Sequence, residues 1–156
     1  MLKLQGIAVS SGVTIGEALV LDSEGFRIPR RFVARSAVDT ELQRLSNAIA
    51  ESTAEIKKNR DAVREELGEQ YAAIFDAHLA MLHDQRLQEE LTSAVRERNW
   101  WPEYAVSRTL RRYAKVFQKL DNHIAQRAHD IYDIEKSLLR NLLGQRRETL
   151  ASISEP

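Results

Sequence analysis

Four histidines are the residues of this chain best suited to acid–base or metal chemistry, since it contains no cysteine. His78 and His83 are five residues apart, about 140° around a helix, so they do not readily share a metal ion. His129 and Asp133 are four residues apart and can meet on one helix face. Neither pair has the further ligands that a metal site needs. We therefore predict no metal site, and we interpret His78, at the edge of an apolar stripe, as a packing histidine.

No motif for catalysis accompanies these histidines. Gly6, Gly12 and Gly16 lack the spacing of a phosphate-binding loop between a strand and a helix. The chain also lacks the G-x-S-x-G and H-E-x-x-H motifs of hydrolases. Trp100 and Trp101 could form a binding platform, but an aromatic pair at the start of a helix more often fills a core. We therefore predict no catalytic residue in this chain.

The segment around His78 is the helix that organises the chain. From Tyr71 to His83 the apolar residues recur with the period of a helix. The stripe they form is wider than the ~100° that a surface helix normally buries. It comprises Ala72, Phe75, Leu79 and Leu82, with Tyr71, Ile74, His78 and Met81 beside them. The opposite face, defined by Ala73, Ala77 and Ala80 and called the alanine face below, is small and nearly uncharged. The helix propensity of alanine explains this face, and so does a contact surface for a partner protein.

The composition limits the classes of function. The 23 basic side chains balance 23 acidic ones, which argues against binding to nucleic acid or to a membrane surface. No stretch approaches the ~18 apolar residues of a transmembrane helix, and the N-terminus does not resemble a secretory signal. We therefore expect a cytoplasmic protein. Acidic residues predominate between Glu65 and Glu90 and basic ones between Arg96 and Lys119, so the acidic helix could attract a basic partner.

Local signals divide the chain into a short β segment and a bundle of long helices. Residues 4–9 and 13–20 have the composition of strands, and with the connector after them they form a first unit, residues 1–35. Residues 36–144 have the periodicity of helices, and residues 145–156 form a tail. Because short connections make neighbouring helices antiparallel, we predict a mainly α antiparallel bundle. The two strands would be marginal alone and need a sheet from elsewhere.

The ends of the predicted helices follow from residues with special backbone preferences. Ser36, with Asp39 approximating a capping box, predicts the N-cap of a long first helix that runs to about Leu67. The other boundaries are predicted by Gly68 as a helix end, Asp84 as an N-cap, Pro102 as a first helical residue and Gly144 as a final helix end.

Three motifs cover nearly the whole chain in collinear order. The first is the opening Gly6-IAVSSGVTIGEAL, which is similar to G-I-x-A-S-x-G-I-A-x-G-x-A. The second is G-E…I-F…H…L-x-D…L, carried by Gly68, Glu69, Ile74, Phe75, His78, Leu82, Asp84 and Leu87. The third is the segment 127–144, which is similar to R-A-x-D-x-x-D-I…L-L-R-N-L-L-G. Together the motifs resemble Enzyme I, the phosphoenolpyruvate–protein phosphotransferase family of the bacterial sugar phosphotransferase system.

The resemblance implies a helical subdomain inserted into a swivelling α/β phosphohistidine subdomain, to which the predicted strands would belong. It also implies that the helices dock the small phosphocarrier protein HPr. The family's phosphorylated histidine lies in a downstream G-G-x-T-S-H motif that this sequence does not contain. We therefore expect an N-terminal fragment that cannot transfer a phosphoryl group alone. In the complete enzyme, Mg²⁺ and the homodimer contact are expected in a C-terminal domain.

The resemblance places the HPr contact on the helix with His78, the helix after it and the end of the next one. An apolar patch with carboxylates at its rim would suit HPr, whose active-site surface is basic in the family. The expected partner-binding residues are Glu69, Ala73, Asp76, Ala80, Met81, Asp84, Leu87, Tyr113, Phe117 and Leu120. Gln70 and Arg86 stand where the family has acids, and Ala80 replaces a larger apolar residue. The identity of the phosphocarrier is therefore open.

Two other functions fit the same sequence. One is a helical adaptor or dimerisation module unrelated to phosphotransfer, which the long first helix suggests. The other is an Enzyme I-like segment that serves a nitrogen-regulatory or dihydroxyacetone phosphocarrier pathway.

Overall fold

The computed structural model describes residues 12–13, 28–120 and 127–144. Apart from Val13, the two predicted strands lie outside these ranges, and so does the predicted tail, residues 145–156. In the described part of the chain, none of the helices is long and apolar enough to cross a membrane.

The described residues form a bundle of α-helices, as predicted. The helices are α1 Val38–Leu67, α2 Glu69–Leu82, α3 Gln85–Arg96, α4 Pro102–Gln118 and α5 Ala128–Leu143. The most extensive packing is of α1 against α2 and of α4 against α5, while α3 packs mainly on α4 and α1. The connection between α1 and α2 is a single glycine, so these two helices form a tight antiparallel hairpin.

Four helix boundaries lie where the sequence predicts them. Gly68 ends α1 with φ at 101°, and its N–H donates to the carbonyls of Val63 and Arg64. A carboxylate oxygen of Asp84 accepts a 2.9 Å hydrogen bond from the N–H of Leu87 and so caps α3. The remaining two boundaries are Pro102, the first residue of α4, and Gly144, which ends α5 in the left-handed conformation.

The predicted N-cap at Ser36 is wrong. Ser36 lies inside a 3₁₀ turn, Arg35–Ala37, which leads directly into α1. The extended residue that an N-cap requires is Ala34, and the N–H of Ala37 is satisfied by the Ala34 carbonyl at 2.9 Å. Because the backbone itself supplies this acceptor, no side chain caps the start of α1.

The core of the described part of the chain is shared by all five helices. Its most buried large side chains are Leu82, Leu91, Val95, Val106, Leu110, Ile134, Leu138 and Leu139. In α2 the predicted stripe is too wide, because Tyr71 is 55% exposed and Ile74 is 49% exposed. Only the side of α2 that carries Ala72, His78, Leu79 and Leu82 is buried, since α2 packs mainly on α1 and much less on α3 and α5.

The turn before α4 holds the tryptophan pair. The N–H of Val33 donates to the Asn99 carbonyl at 2.7 Å, and the N–H of Trp101 donates to the Arg31 carbonyl at 3.1 Å. Trp100 packs against the core and meets the ring of Tyr104 edge-on at 4.9 Å between centroids. Trp100 therefore packs as predicted, whereas Trp101 is half-buried and lies under the guanidinium groups of Arg31 and Arg44.

Candidate functional site

The alanine face of α2 is not covered by the described helices. Ala73 and Ala80 are exposed and Ala77 is half-buried. His78, on the other side of α2, is 8% exposed, and Phe75 approaches its ring edge-on. The predicted packing role of His78 therefore agrees with its position, and the alanine face is available to another molecule.

A groove of about 790 Å³ begins at the C-terminal end of this face and runs between α2, α3, α4 and α5. Six of the ten predicted partner-binding residues line it: Ala80, Met81, Asp84, Leu87, Tyr113 and Phe117. The other residues that line the groove are Ala77, Arg86, Glu90, Leu110, Arg112, Val116, Arg127, Ile131 and Ile134. The structure thus brings together residues from four helices at one surface.

Four predicted residues lie outside the lining of this groove. Glu69, Ala73 and Asp76 are on the first three turns of α2, and Leu120 follows the C-terminus of α4. Leu120 is 48% exposed, so it is still accessible to a partner near the groove.

The groove has an apolar floor made by side chains that also belong to the bundle. Leu87 is only 3% exposed, and it is therefore part of the core as well as of the floor. Met81, Tyr113 and Phe117 are half-buried and pack against the same core. Ala80 and Val116 are the exposed apolar side chains of the walls. A partner that fills the groove would bury apolar surface without rearranging the bundle.

One wall of the groove carries a polar network that sequence spacing did not reveal. The hydroxyl of Tyr113 donates to Glu90 at 2.7 Å, and Arg112 donates to the same carboxylate oxygen. Partial burial and this hydrogen bond raise the pKa of Tyr113 to about 12. Burial alone would raise the pKa of Glu90, but the hydrogen bonds from Tyr113 and Arg112 outweigh it and lower that pKa. The network therefore keeps Tyr113 neutral and fixed at the edge of the floor.

The predicted acidic rim on α2 is paired with arginines of α1. Glu69 accepts two hydrogen bonds from Arg64, at 2.6 and 2.9 Å. Asp76 accepts from Arg60 at 3.2 Å, and it lies 3.8 Å from Arg64. These pairs are exposed, so each contributes little to stability. They do offset the negative charge that the sequence suggested for this side of α2.

Comparison with known proteins identifies relatives of the chain. Residues 5–127 match the family described as "PEP-utilising enzyme, N-terminal". The phosphoenolpyruvate-protein phosphotransferase of Priestia megaterium is 33% identical over 154 residues, which are 98% of this chain and 26% of that protein. The protein of the same name from Geobacillus stearothermophilus is 35% identical over 153 residues, with 97% and 26% covered. The chain thus spans about a quarter of the length of these relatives.

Solved structures show the same likeness. A solution structure of Enzyme I is 28% identical and superposes with a TM-score of 0.72 over 78% of this chain and 49% of that one. An N-terminal domain of "Enzyme 1 - Nitrogen" is 26% identical, with a TM-score of 0.71 over 79% of this chain and 51% of that one. These findings confirm the resemblance to Enzyme I inferred from three motifs, and because residues 5–127 match its family, this chain belongs to the PEP-utilising enzyme N-terminal family.

Proposed function

We propose that this chain is the docking part of a cytoplasmic phosphoenolpyruvate–protein phosphotransferase and that its groove binds the phosphocarrier protein HPr. The observation that supports this most is the convergence of six predicted contact residues on one groove. The family resemblance places these contacts on three successive helices, whereas the groove follows from how four helices pack. The relatives' name, phosphoenolpyruvate-protein phosphotransferase, supplies the reaction that the docking would serve.

The groove suits a partner that must bind and leave within each reaction cycle. Its apolar floor offers buried surface for affinity, and Asp84 and Glu90 on the rim can fix the register of a charged partner. A contact that forms and breaks in every reaction cycle is expected to be transient and modest in area.

In this proposal the phosphoryl chemistry belongs to residues outside this sequence. The complete enzyme would take a phosphoryl group from phosphoenolpyruvate onto a histidine, with Mg²⁺ bound in another domain, and pass it to HPr. The G-G-x-T-S-H motif that would carry this histidine is not in the 156 residues. The contribution of this chain is to hold HPr, which raises the effective concentration of the acceptor near the phosphohistidine.

The nitrogen-regulatory phosphocarrier is the second candidate partner. One solved neighbour is named for nitrogen, and its TM-score of 0.71 nearly equals the 0.72 of the Enzyme I structure. The charges at the groove do not distinguish the two partners, because Arg86, Arg112 and Arg127 line it together with Asp84 and Glu90. Both phosphocarriers therefore belong in the same binding experiment.

The test is a titration of isotope-labelled HPr, and separately of the nitrogen phosphocarrier, with the 156-residue chain. We expect amide shifts confined to one face of the phosphocarrier. Ala80→Glu should raise Kd about tenfold or more, because it places a charge over the apolar floor. Ala54→Glu on α1 is the matched control, since Ala54 is also an exposed helical alanine but does not line the groove.

Three results would contradict the proposal. One is the absence of any amide shift at high micromolar chain for both phosphocarriers. Another is an equal loss of affinity in Ala80→Glu and Ala54→Glu. The third is a stable dimer in sedimentation that Ala80→Glu dissociates, since this result would support the dimerisation module instead.

A further inference from the structure

We propose that His78, Asp130 and Asp133 form a binding site for one divalent transition-metal ion of the Zn²⁺ type, between α2 and α5. Each of the three residues can offer one ligand atom, and these atoms all lie within 4.8 Å of one another. The site is separate from the docking groove, whose lining includes none of the three. The proposal does not depend on HPr binding.

The state of the His78 ring is the first argument for a ligand. His78 is 8% exposed, and its Nε2 atom is buried without a hydrogen-bond partner in the described part of the chain. Burying a polar atom without a partner is unfavourable, so such an atom in a folded protein calls for an explanation. Because Nε2 lies 3.3 Å from a carboxylate oxygen of Asp130, and the ligand atoms of all three residues lie within 4.8 Å of one another, a shared cation would satisfy it.

The distance between His78 and Asp130 is the second argument. Nε2 of His78 lies 3.3 Å from an oxygen of Asp130. A charge-assisted hydrogen bond would be shorter, at about 2.7–2.9 Å. Two ligands of a tetrahedral zinc ion, with bonds of about 2.0–2.1 Å, are separated by ~3.4 Å. The observed separation is therefore compatible with two ligands of one ion.

The position of Asp133 on α5 allows it to act as the third ligand of the ion, beside His78 and Asp130. Asp130 and Asp133 are three residues apart on α5, so their side chains lie on the same face. Asp133 is exposed, and its carboxylate can approach the ion by rotating about its side-chain bonds. One imidazole nitrogen with two carboxylates is a donor set for Zn²⁺ or Co²⁺, whereas Mg²⁺ prefers oxygen ligands alone.

A small cavity borders two of the three residues. His78 and Asp133 both line a cavity of about 230 Å³ between α1, α2 and α5. Water in this cavity could supply a fourth ligand, as it does in zinc sites with three protein ligands. Lys136 and Arg140 line the same cavity, so the ion has to compete with their positive charges for the carboxylates. This competition predicts moderate affinity and not the tight binding of a closed structural site.

The test uses the complete 156-residue chain, freed of metal and titrated with Zn²⁺ by calorimetry and with Co²⁺ by visible absorption. We expect one ion per chain and the strong visible bands of tetrahedral Co²⁺. Asp133→Asn should weaken binding at least tenfold, since it removes an anionic ligand. It should not prevent folding, because Asp133 is exposed. His129→Gln is the matched control, because His129 is an exposed potential ligand on the same helix that is outside the cluster.

The outcomes separate a metal site from a simple contact between His78 and Asp130. Saturable 1:1 binding that Asp133→Asn weakens and His129→Gln leaves unchanged supports the proposal. A thermal midpoint that Zn²⁺ raises in the unsubstituted chain but not in Asp133→Asn supports it as well. Absence of saturable binding overturns it. Binding that Asp133→Asn leaves unchanged overturns it too, since the ion would then be held by other residues.

Discussion

Arg44 connects three helices, and its removal should destabilise the bundle strongly. Both of its Nη atoms donate to Glu103 on α4, at 2.6 and 2.9 Å, which is a bidentate pair. Nη1 also donates to the carbonyl of Leu142 on α5 at 2.8 Å, and Nη2 donates to Glu41 at 2.7 Å. The hydrogen bond with Glu103 is the main cause that raises the pKa of Arg44. Glu103 is only 3% exposed, so Arg44 is its principal counter-charge.

The cost of Arg44→Ala comes mainly from the carboxylate that it leaves behind. Removing one partner of a buried ion pair costs about 3–5 kcal/mol. The Arg44 side chain is 33% exposed, and solvent there weakens the pair, so we expect the lower end, about 3 kcal/mol. If the free energy of unfolding falls by roughly 2 kcal/mol per molar urea, a loss of about 3 kcal/mol lowers the urea concentration at the unfolding midpoint by about 1.5 M. The double variant Arg44→Met with Glu103→Leu should recover most of the loss, because it leaves no buried charge unpaired.

The assay is urea unfolding followed by circular dichroism for the single variants, the double variant and the unsubstituted chain. Arg108→Ala is the control, because Arg108 is an exposed arginine on the same helix as Glu103. Its effect should stay within about 0.5 kcal/mol. If Arg44→Ala shifts the midpoint no more than Arg108→Ala does, the pair with Glu103 is not what joins the helices. A double variant as unstable as Arg44→Ala would show that the hydrogen bonds of Arg44 to Leu142 and Glu41 contribute more than its pair with Glu103.

Three further predictions test the capping, the groove and the core. Asp84→Ala should destabilise the chain by about 1 kcal/mol in urea unfolding, because α3 loses its cap, whereas Asp84→Asn keeps an acceptor and should be nearly neutral. Because the pKa of Tyr113 is raised to about 12 in the folded chain, its hydrogen bond with Glu90 stabilises the fold fully below pH ~10 and is lost as the pH rises toward 12. The stability advantage over Tyr113→Phe should disappear over that range, and a constant advantage would contradict the assignment. Leu138 is 0% exposed, so Leu138→Ala should lower the free energy of unfolding by about 2–5 kcal/mol in the same assay. A loss below about 1 kcal/mol would show that neighbouring core side chains fill the space left by the leucine.

The sequence by itself determined the features that depend on local backbone chemistry and on motif order. Gly68 and Gly144 end helices because they adopt positive φ at low cost, and Asp84 and Pro102 begin helices for equally local reasons. Ser36 failed as a predicted cap because it lies inside a 3₁₀ turn in which the backbone carbonyl of Ala34 is the acceptor, and no side-chain pattern shows this turn. The family followed from three collinear motifs, and the comparisons confirmed it.

The tertiary structure alone decided which surfaces stay open and which distant residues meet. Helical periodicity gives the direction of a side chain around its own axis, but not which helix packs against it. Tyr71 and Ile74 are therefore exposed despite lying beside the apolar stripe. The pairs of Tyr113 with Glu90 and of Arg44 with Glu103 join residues 23 and 59 positions apart. His78 of α2 likewise lies 3.3 Å from Asp130 of α5. Such contacts exist only once the helices have packed, because a linear spacing carries no information on the distance between separate helices.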